Sequence, residues 1–348
     1  MPRQVEDPSF PILDLLMDSM LQSTTTFLVG FYKPFLQFAE GTIRLSWPFI
    51  LTMLVVGYGC FLMQRAASES AGPRAFVKYL RIREVFLHRS SLVDYRYLLL
   101  NGGLKALLVS PLLLSSLAVS KVVLLALTVT AGASEATGSP GLPLLVLYSL
   151  IVLLAVDLGN YWSHRFHHEI PILWQLHKVH HSAEVLNPAT ALRIHPMETL
   201  MNALFATTLS GIVLGVFSYF WTDVSTAKLF GLNVFVLLTN LISGNLRHSH
   251  IWLSFGLRLE HILSSPAQHH IHHSDNPVHF NRNYAVHFSV WDWAFGTLYT
   301  TTPRPEPLTF GLGEDGRQFD SVVALWTRPL ANIAQQFIRR RRAKTGQV

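Results

Sequence analysis

Histidine is gathered in this chain in a way that restricts every fold it can adopt. Sixteen of its seventeen histidines lie between His164 and His287, most of them in three short strings. The strings read His164-Arg-Phe-His167-His168, His177-Lys-Val-His180-His181 and His269-His270-Ile-His272-His273. Side chains three and four residues apart share a helix face, so each string aims several imidazoles at one point. Neutral imidazole ligates iron, zinc, copper and nickel through one ring nitrogen. One ion takes about four to six ligands, fewer than the strings supply, so two metals are the economical reading. A fold that uses them has to bring segments about a hundred residues apart to one place.

Composition says where that place lies. Half of the residues are hydrophobic, 14% are charged and the mean hydropathy is +0.32, far from a soluble domain with about 25% charged residues. Apolar stretches suited to crossing a bilayer run over Trp47 to Met63, Tyr97 to Gly132, Pro143 to Trp162, and the pair Leu204 to Trp221 and Leu229 to Ile242. Thr26 to Phe38 is shorter and carries Lys33, which favours an interfacial helix. The expected fold is all-α: a polytopic membrane protein with about four transmembrane helices and a cytoplasmic helical cap that carries the metal site.

Charge sets the expected orientation. Arg65, Arg74, Lys78, Arg81, Arg83 and Arg89 follow the first span, whereas Glu6, Asp7, Asp14, Asp18 and Glu40 precede it. The excess of Lys and Arg assigns residues 65–96 to the cytoplasm. Counting spans forward brings all three histidine strings to that same face. The stretch from Ser321 to Arg342 has an apolar face and ends in four arginines, the pattern of an amphipathic helix on the cytoplasmic leaflet. The first 20 residues lack the basic start and apolar core of a cleavable signal. A pI near 9.5 in so apolar a chain reflects loop charge, and nucleic-acid binding is not expected.

Several metal chemistries are excluded by residue type. Glu169, Glu184 and Glu198 have no histidine three residues on, against a carboxylate-bridged di-iron bundle. His168-Glu169 is followed by Ile170-Pro171, not by the second histidine of a zinc protease helix. Cysteine occurs once, at Cys60, so no thiolate site or iron–sulfur cluster is available. An all-nitrogen site that activates oxygen remains. His88 and His261, standing alone, read as ordinary satisfied side chains, and His270 as a solvated surface residue. His250, His279 and His287 read as hydrogen-bonding neighbours of the site.

The strings extend into longer motifs. Asp157-Leu-Gly-Asn-Tyr-Trp-Ser-His164, Leu176-His177 to Ser182, Arg193-Ile-His195-Pro-Met-Glu198, Pro266-Ala-Gln-His269 to Ser274, and Asn283-Tyr284 followed by Trp291-Asp292-Trp-Ala-Phe295-Gly296-Thr297 occur in order. This series resembles the fatty acid hydroxylase and sterol desaturase superfamily of integral membrane, histidine-rich di-iron enzymes, from about Asp157 to Tyr299. Ala285 departs from the glycine usual after Asn-Tyr. The resemblance implies metal ligation by His164, His168, His177, His180, His181, His248, His269, His272 and His273. It leaves Asp157, His195, Glu198 and His167 as residues that orient the ligands rather than bind, with His195 equally placed as a ligand.

It also implies an oxidoreductase: a membrane-bound monooxygenase with two Fe ions and O2 as co-substrate, hydroxylating an unactivated C–H bond of a fatty acyl, sterol or related lipid. A desaturase built on the same site is the alternative, and a non-catalytic metal-binding or transport protein the lower one. Gly311-Leu-Gly313-Glu-Asp-Gly316 has the Gly-x-Gly-x-x-Gly spacing but follows the proline-rich stretch Pro303 to Pro307 rather than a strand, so it is no dinucleotide fingerprint, and His195-Pro196 does not continue as a cytochrome b haem motif. Reducing equivalents are therefore expected from a separate redox partner, a ferredoxin or a cytochrome b type carrier with its reductase. The expected organisation is an N-terminal membrane region (1–140), a hydroxylase-like catalytic domain (141–302) and a C-terminal cytoplasmic amphipathic tail (303–348).

Overall fold

The computed structural model describes residues 21–26, 28–30, 45–65, 71–109, 115–136, 138, 140–226, 228–229 and 232–345. Most of the expected interfacial helix over Thr26 to Phe38 lies outside them. Helices dominate: α1 (Trp47–Gln64), α2 (Pro73–Tyr79), α3 (Arg89–Leu108), α4 (Ser116–Ala131), α5 (Leu142–Glu169), α6 (Pro171–His181), α7 (Pro196–Phe220), α8 (Val234–Thr239), α9 (Pro266–His273) and α10 (Val322–Thr345). Among the described residues α1, α5 and α7 are long and apolar enough to cross a membrane, and α4 is a shorter apolar helix. The chain is an all-α membrane protein. The stretch Tyr97 to Gly132 divides between α3 and α4, which starts where Ser115 accepts the Ala118 N–H.

Small residues let these helices approach. Gly211 and Gly215 form a Gly-x-x-x-Gly pair on α7, and a Cβ there would stand 2.5 Å from Val119 Cβ and 2.6 Å from Val123 Cβ of α4. On α5, a Cβ at Gly159 would meet the Phe205 backbone of α7 at 3.0 Å. The end of α5 and the start of α7 are thereby held side by side.

Prolines place the turns that carry the site. Ile170, extended as the residue before Pro171, ends α5, and α6 begins at once. The 28 residues of α5 rise about 42 Å, more than a hydrocarbon core of about 30 Å, so its last turns project beyond the apolar layer. His195 opens α7 by accepting the Met197 N–H, with Pro196 behind it.

Leu229 to Ile242 does not form the expected span. Lys228–Leu229 and Leu232–Asn233 pair as a small antiparallel hairpin, and α8 then widens into a π turn over Asn240–Gly244. The 11 residues from Val234 to Gly244 rise about 16 Å, half a bilayer core, because Asn233 caps the helix late and Asn240, Ser243 and Gly244 interrupt it early.

The C-terminal helix is docked rather than merely amphipathic. Leu325 of α10 is buried with Val93, Tyr97, Val179 and Phe319. Trp326 donates its indole N–H to Asn101 Oδ1 at 3.0 Å. Val323, Leu330 and Phe337 stay exposed, so one apolar edge of α10 packs on α3 and α6 and the other is open.

Candidate metal centre

Two groups of imidazoles meet where α5, α6, α9 and the turn at Leu246–His248 converge. His164, His168, His177, His181 and His272 form one, and His180, His248, His269 and His273 the other. Within each group the ligand-capable atoms lie within 4.8 Å of one another. Ligands on opposite sides of one ion, each at about 2.1 Å, are about 4.2 Å apart. The groups abut: the rings of His181 and His273 stack at 4.5 Å, and those of His177 and His180 are 5.4 Å apart. All nine histidines named as ligands from the sequence are in these two groups.

The protonation of the rings says what the groups can hold. His164 Nδ1 donates to the Tyr284 carbonyl at 2.7 Å and His272 Nδ1 to the Arg282 carbonyl at 2.8 Å. His177 Nδ1 donates to Glu198 Oε1 at 2.8 Å. Each acceptor lacks a proton, so each neutral ring turns a bare Nε2 lone pair inward. His164 Nε2 and His177 Nε2 nevertheless face each other at 3.1 Å. Two lone pairs at that distance repel unless a cation lies against both. His168 Nε2, buried beside them, has no hydrogen-bond partner among the described residues. Loss of water pushes the pKa of His177, His181, His269 and His273 well below the usual histidine range and holds His180 and His272 at about 4. These rings are neutral at pH 7, the form that binds metal. The donor set therefore fits a pair of imidazole-bound cations.

Outside the rings, a scaffold of buried carboxylates fixes the backbone that presents them. Asp292 accepts the N–H groups of Tyr284 and Ala285 and the Thr297 hydroxyl, which secures the carbonyl that orients His164. Asn283, in the left-handed region at φ 56°, bridges the Gln268 carbonyl and the Tyr299 N–H. Glu260, fully buried, accepts from Ser254, Ser265 and Thr301, and so sets the N-cap of α9. Arg193 donates to the Val179 carbonyl, to Ser182 Oγ and to Asp94 Oδ1, each at 2.8 Å, and ties the end of α6 to α3. Asp94 and Glu260 were not picked out from the sequence, and Arg193 only as the head of its motif, with no role given to it. A charged residue expected to be buried beside a histidine string was the available signal, and only the Arg-x-His-Pro-x-Glu motif carried it.

The residues expected to orient ligands divide. Glu198 is the one that meets an imidazole of the two groups, that of His177. Asp157 is not the partner of His164, whose Nδ1 has the Tyr284 carbonyl; it accepts the N–H groups of His287 and Phe288 and the Trp291 indole N–H. His195 also stands apart, spanning from the α7 N-terminus to the Trp326 carbonyl at 3.1 Å. His167 points back along α5 to the Ser163 carbonyl. His270 is buried, not solvated, and donates to the Leu246 carbonyl, since α9 is enclosed on every side. His250 meets the Tyr79 carbonyl at 2.8 Å and His279 lies 3.7 Å from Glu306, both away from the two groups. His287 presents its backbone N–H to Asp157.

Two cavities reach the rings from different sides. One of about 310 Å³ is lined by His164, His177, His180, His248 and His269 together with Asn160 of α5 and Asn202 of α7. A second, of about 590 Å³, touches His168, His181, His272 and His273 and is walled by Trp174, Lys178 and the 311–315 loop. Span residues well inside α5 and α7 border the first; apart from His168 near the end of α5, the second is bordered by segments outside the long apolar helices.

A membrane domain with nine convergent histidines and these motifs defines a class. Residues 149–297 match the fatty acid hydroxylase family. The chain is similar to an alkylglycerol monooxygenase of Danio rerio, 33% identical over 162 residues that make up 47% of this chain and 32% of the relative. It is similar to an ornithine lipid hydroxylase of Rhizobium tropici, 30% identical over 194 residues, 55% of this chain and 50% of that protein. A Delta(7)-sterol 5(6)-desaturase of Aspergillus fumigatus is 29% identical over 181 residues, 48% of this chain and 53% of its own length. The matched region thus spans from about a third to about half of these relatives. No solved structure matches the chain.

Proposed function

We propose that this protein is an O2-dependent lipid hydroxylase that holds two iron ions, one in each histidine group. The observation that carries the reading is the cavity in which both groups face residues of α5 and α7. A lipid entering this cavity from the bilayer side meets imidazoles of both groups, and the relatives named for lipid hydroxylation and sterol desaturation support that substrate class.

The chain's own residues supply binding and orientation. The Tyr284 and Arg282 carbonyls and Glu198 hold protons on the outer nitrogens of His164, His272 and His177, which keeps the inner nitrogens available. Ala191, Leu192, Ile194 and Val286 give the lipid-side cavity apolar surface against which a lipid chain can pack. When bound, the iron pair supplies the O2 activation that an unactivated C–H bond requires. The second cavity, at Trp174 and Lys178, gives a separate redox partner an approach from outside the apolar layer. The Lys and Arg excess after α1 supports a cytoplasmic placement of that side.

Purified protein tests this directly. Metal analysis is expected to give two irons per chain, and lipid from cells that express the protein to gain one oxygen atom, with O2 uptake that depends on lipid. Loss of two hydrogens instead would identify a desaturase on the same scaffold. Metal flux across vesicles without O2 uptake would overturn the enzymatic reading.

A further inference from the structure

The cavity in front of the histidine groups has a polar wall that metal binding does not use. Asn160 lies one helical turn before His164 on α5, and Asn202 one turn after Glu198 on α7. Because α5 reaches the site at its C-terminal end and α7 at its N-terminal end, both asparagines sit about 6 Å further along their helices, toward the apolar interior. Both line the cavity of about 310 Å³ and both are half-buried. Asn202 Oδ1 accepts from Ser163 Oγ at 2.6 Å, and the Asn202 amide nitrogen has no partner among the described residues. The Asn160 amide makes no hydrogen bond among them at all.

Side-chain amides that face a cavity from membrane helices without a protein partner mark a ligand path. The donor inventory then selects the ligand. With Ser163 on its oxygen, Asn202 still has both amide N–H groups to offer, which favours an acceptor as partner. Asn160 offers both roles. Ala191, Leu192, Ile194, Ala285 and Val286 give that wall its apolar surface, and Glu198, Arg247 and Tyr284 border it as well. We infer that Asn160 and Asn202 bind an oxygen function of the lipid, a hydroxyl, ether or carbonyl, so that the C–H bond presented to the histidines lies a few bonds from that oxygen. A plain hydrocarbon segment, as at the middle of an acyl chain, leaves both amides unmet and is disfavoured. This inference rests on the lipid-side role proposed for the cavity and adds the position of oxidation.

Binding alone tests it. Thermal unfolding of the purified full-length protein in detergent, kept free of O2, is followed with hexadecanol and with hexadecane as probes. The wild type is expected to be stabilised more by hexadecanol. The Asn160→Leu/Asn202→Leu double variant is expected to bind hexadecanol about tenfold more weakly, with its response to hexadecane unchanged. Equal responses of the wild type to the two probes, or a preference for hexadecanol that survives in the double variant, would overturn the assignment. Should the double variant not unfold cooperatively, Asn160→Ala and Asn202→Ala carry the same comparison, each with a several-fold weakening expected. Because no turnover is needed, a protein that prefers hexadecanol yet never oxidises lipid would count against the proposed activity alone. An active enzyme indifferent to the hydroxyl would count against the asparagines alone.

Discussion

Glu198 and His177, brought together from α7 and α6, share a hydrogen bond of 2.8 Å in which both side chains are buried. The carboxylate fixes the proton on His177 Nδ1 and leaves Nε2 bare for the first histidine group. Removing such a partner weakens metal binding about 10- to 100-fold in comparable sites. Glu198→Ala is expected to fall in that range by metal titration, and Glu198→Gln, which keeps an acceptor oxygen, to lose less. Equal affinity in all three proteins would detach Glu198 from the site.

The two groups predict separable losses of metal. His168→Ala and His272→Ala each strike the five-membered group, and His269→Ala the other. Each is expected to reduce bound iron by about one ion per chain, whereas His167→Ala and His270→Ala, whose rings meet carbonyls elsewhere, are expected to retain the full content. Mass spectrometry of the intact metalloprotein reads the count.

Arg193 and Asp94 form a buried ion pair at 2.8 Å, with 2% and 0% of their side chains exposed. Removing one partner strands the other charge, at a cost of about 3–5 kcal/mol. Denaturant unfolding should therefore register Arg193→Met as strongly destabilised and the Arg193→Met/Asp94→Leu pair as partly restored. A double variant no more stable than the single one would mean that the arginine's bonds to Val179 and Ser182 dominate.

Gly159 sets the spacing between the helices that carry His164 and Glu198. Its missing Cβ would lie 3.0 Å from the Phe205 backbone, which cannot move aside as a side chain can. Gly159→Val is expected to force α5 and α7 apart and to lower metal content along with stability, with Gly159→Ala intermediate. Unchanged metal content in Gly159→Val would show that the site tolerates the displacement.

His195 predicts a response to acid. Its pKa is lowered by loss of water at its buried position, with the bond to the Trp326 carbonyl opposing the shift. The unfolded chain, with a histidine pKa of about 6.5, takes up the proton first as pH falls. Stability from this residue is thus full above about pH 6.5 and lost below it. His195→Asn keeps an N-cap and has nothing to titrate, so its melting temperature should decline less between about pH 7 and pH 5 than that of the wild type.

Much of this site could be read in one dimension because helical spacing and ligand chemistry are local. The separations in His164-x-x-x-His168, His177-x-x-x-His181 and His269-x-x-x-His273 put rings on one face in any helix. All-α character and membrane-length helices were equally legible, since apolar length needs no partner to be recognised. Leu229 to Ile242 misled, because its hydropathy was that of a span while Asn233 and Asn240 shorten the helix from both ends.

Which histidine belongs to which group depended on tertiary structure. His180 and His181 are neighbours in sequence yet serve different groups, as do His272 and His273, because adjacent helical residues diverge by about 100° and the facing helices decide what each meets. The carbonyls of Tyr284 and Arg282, the Arg193–Asp94 pair and the open amides of Asn160 and Asn202 likewise depend on segments brought together only by folding. The sequence determined that imidazoles would be offered in helical rows at a membrane; the packing of those helices decided how the rows were shared, since a contact between distant segments is a property of neither segment alone.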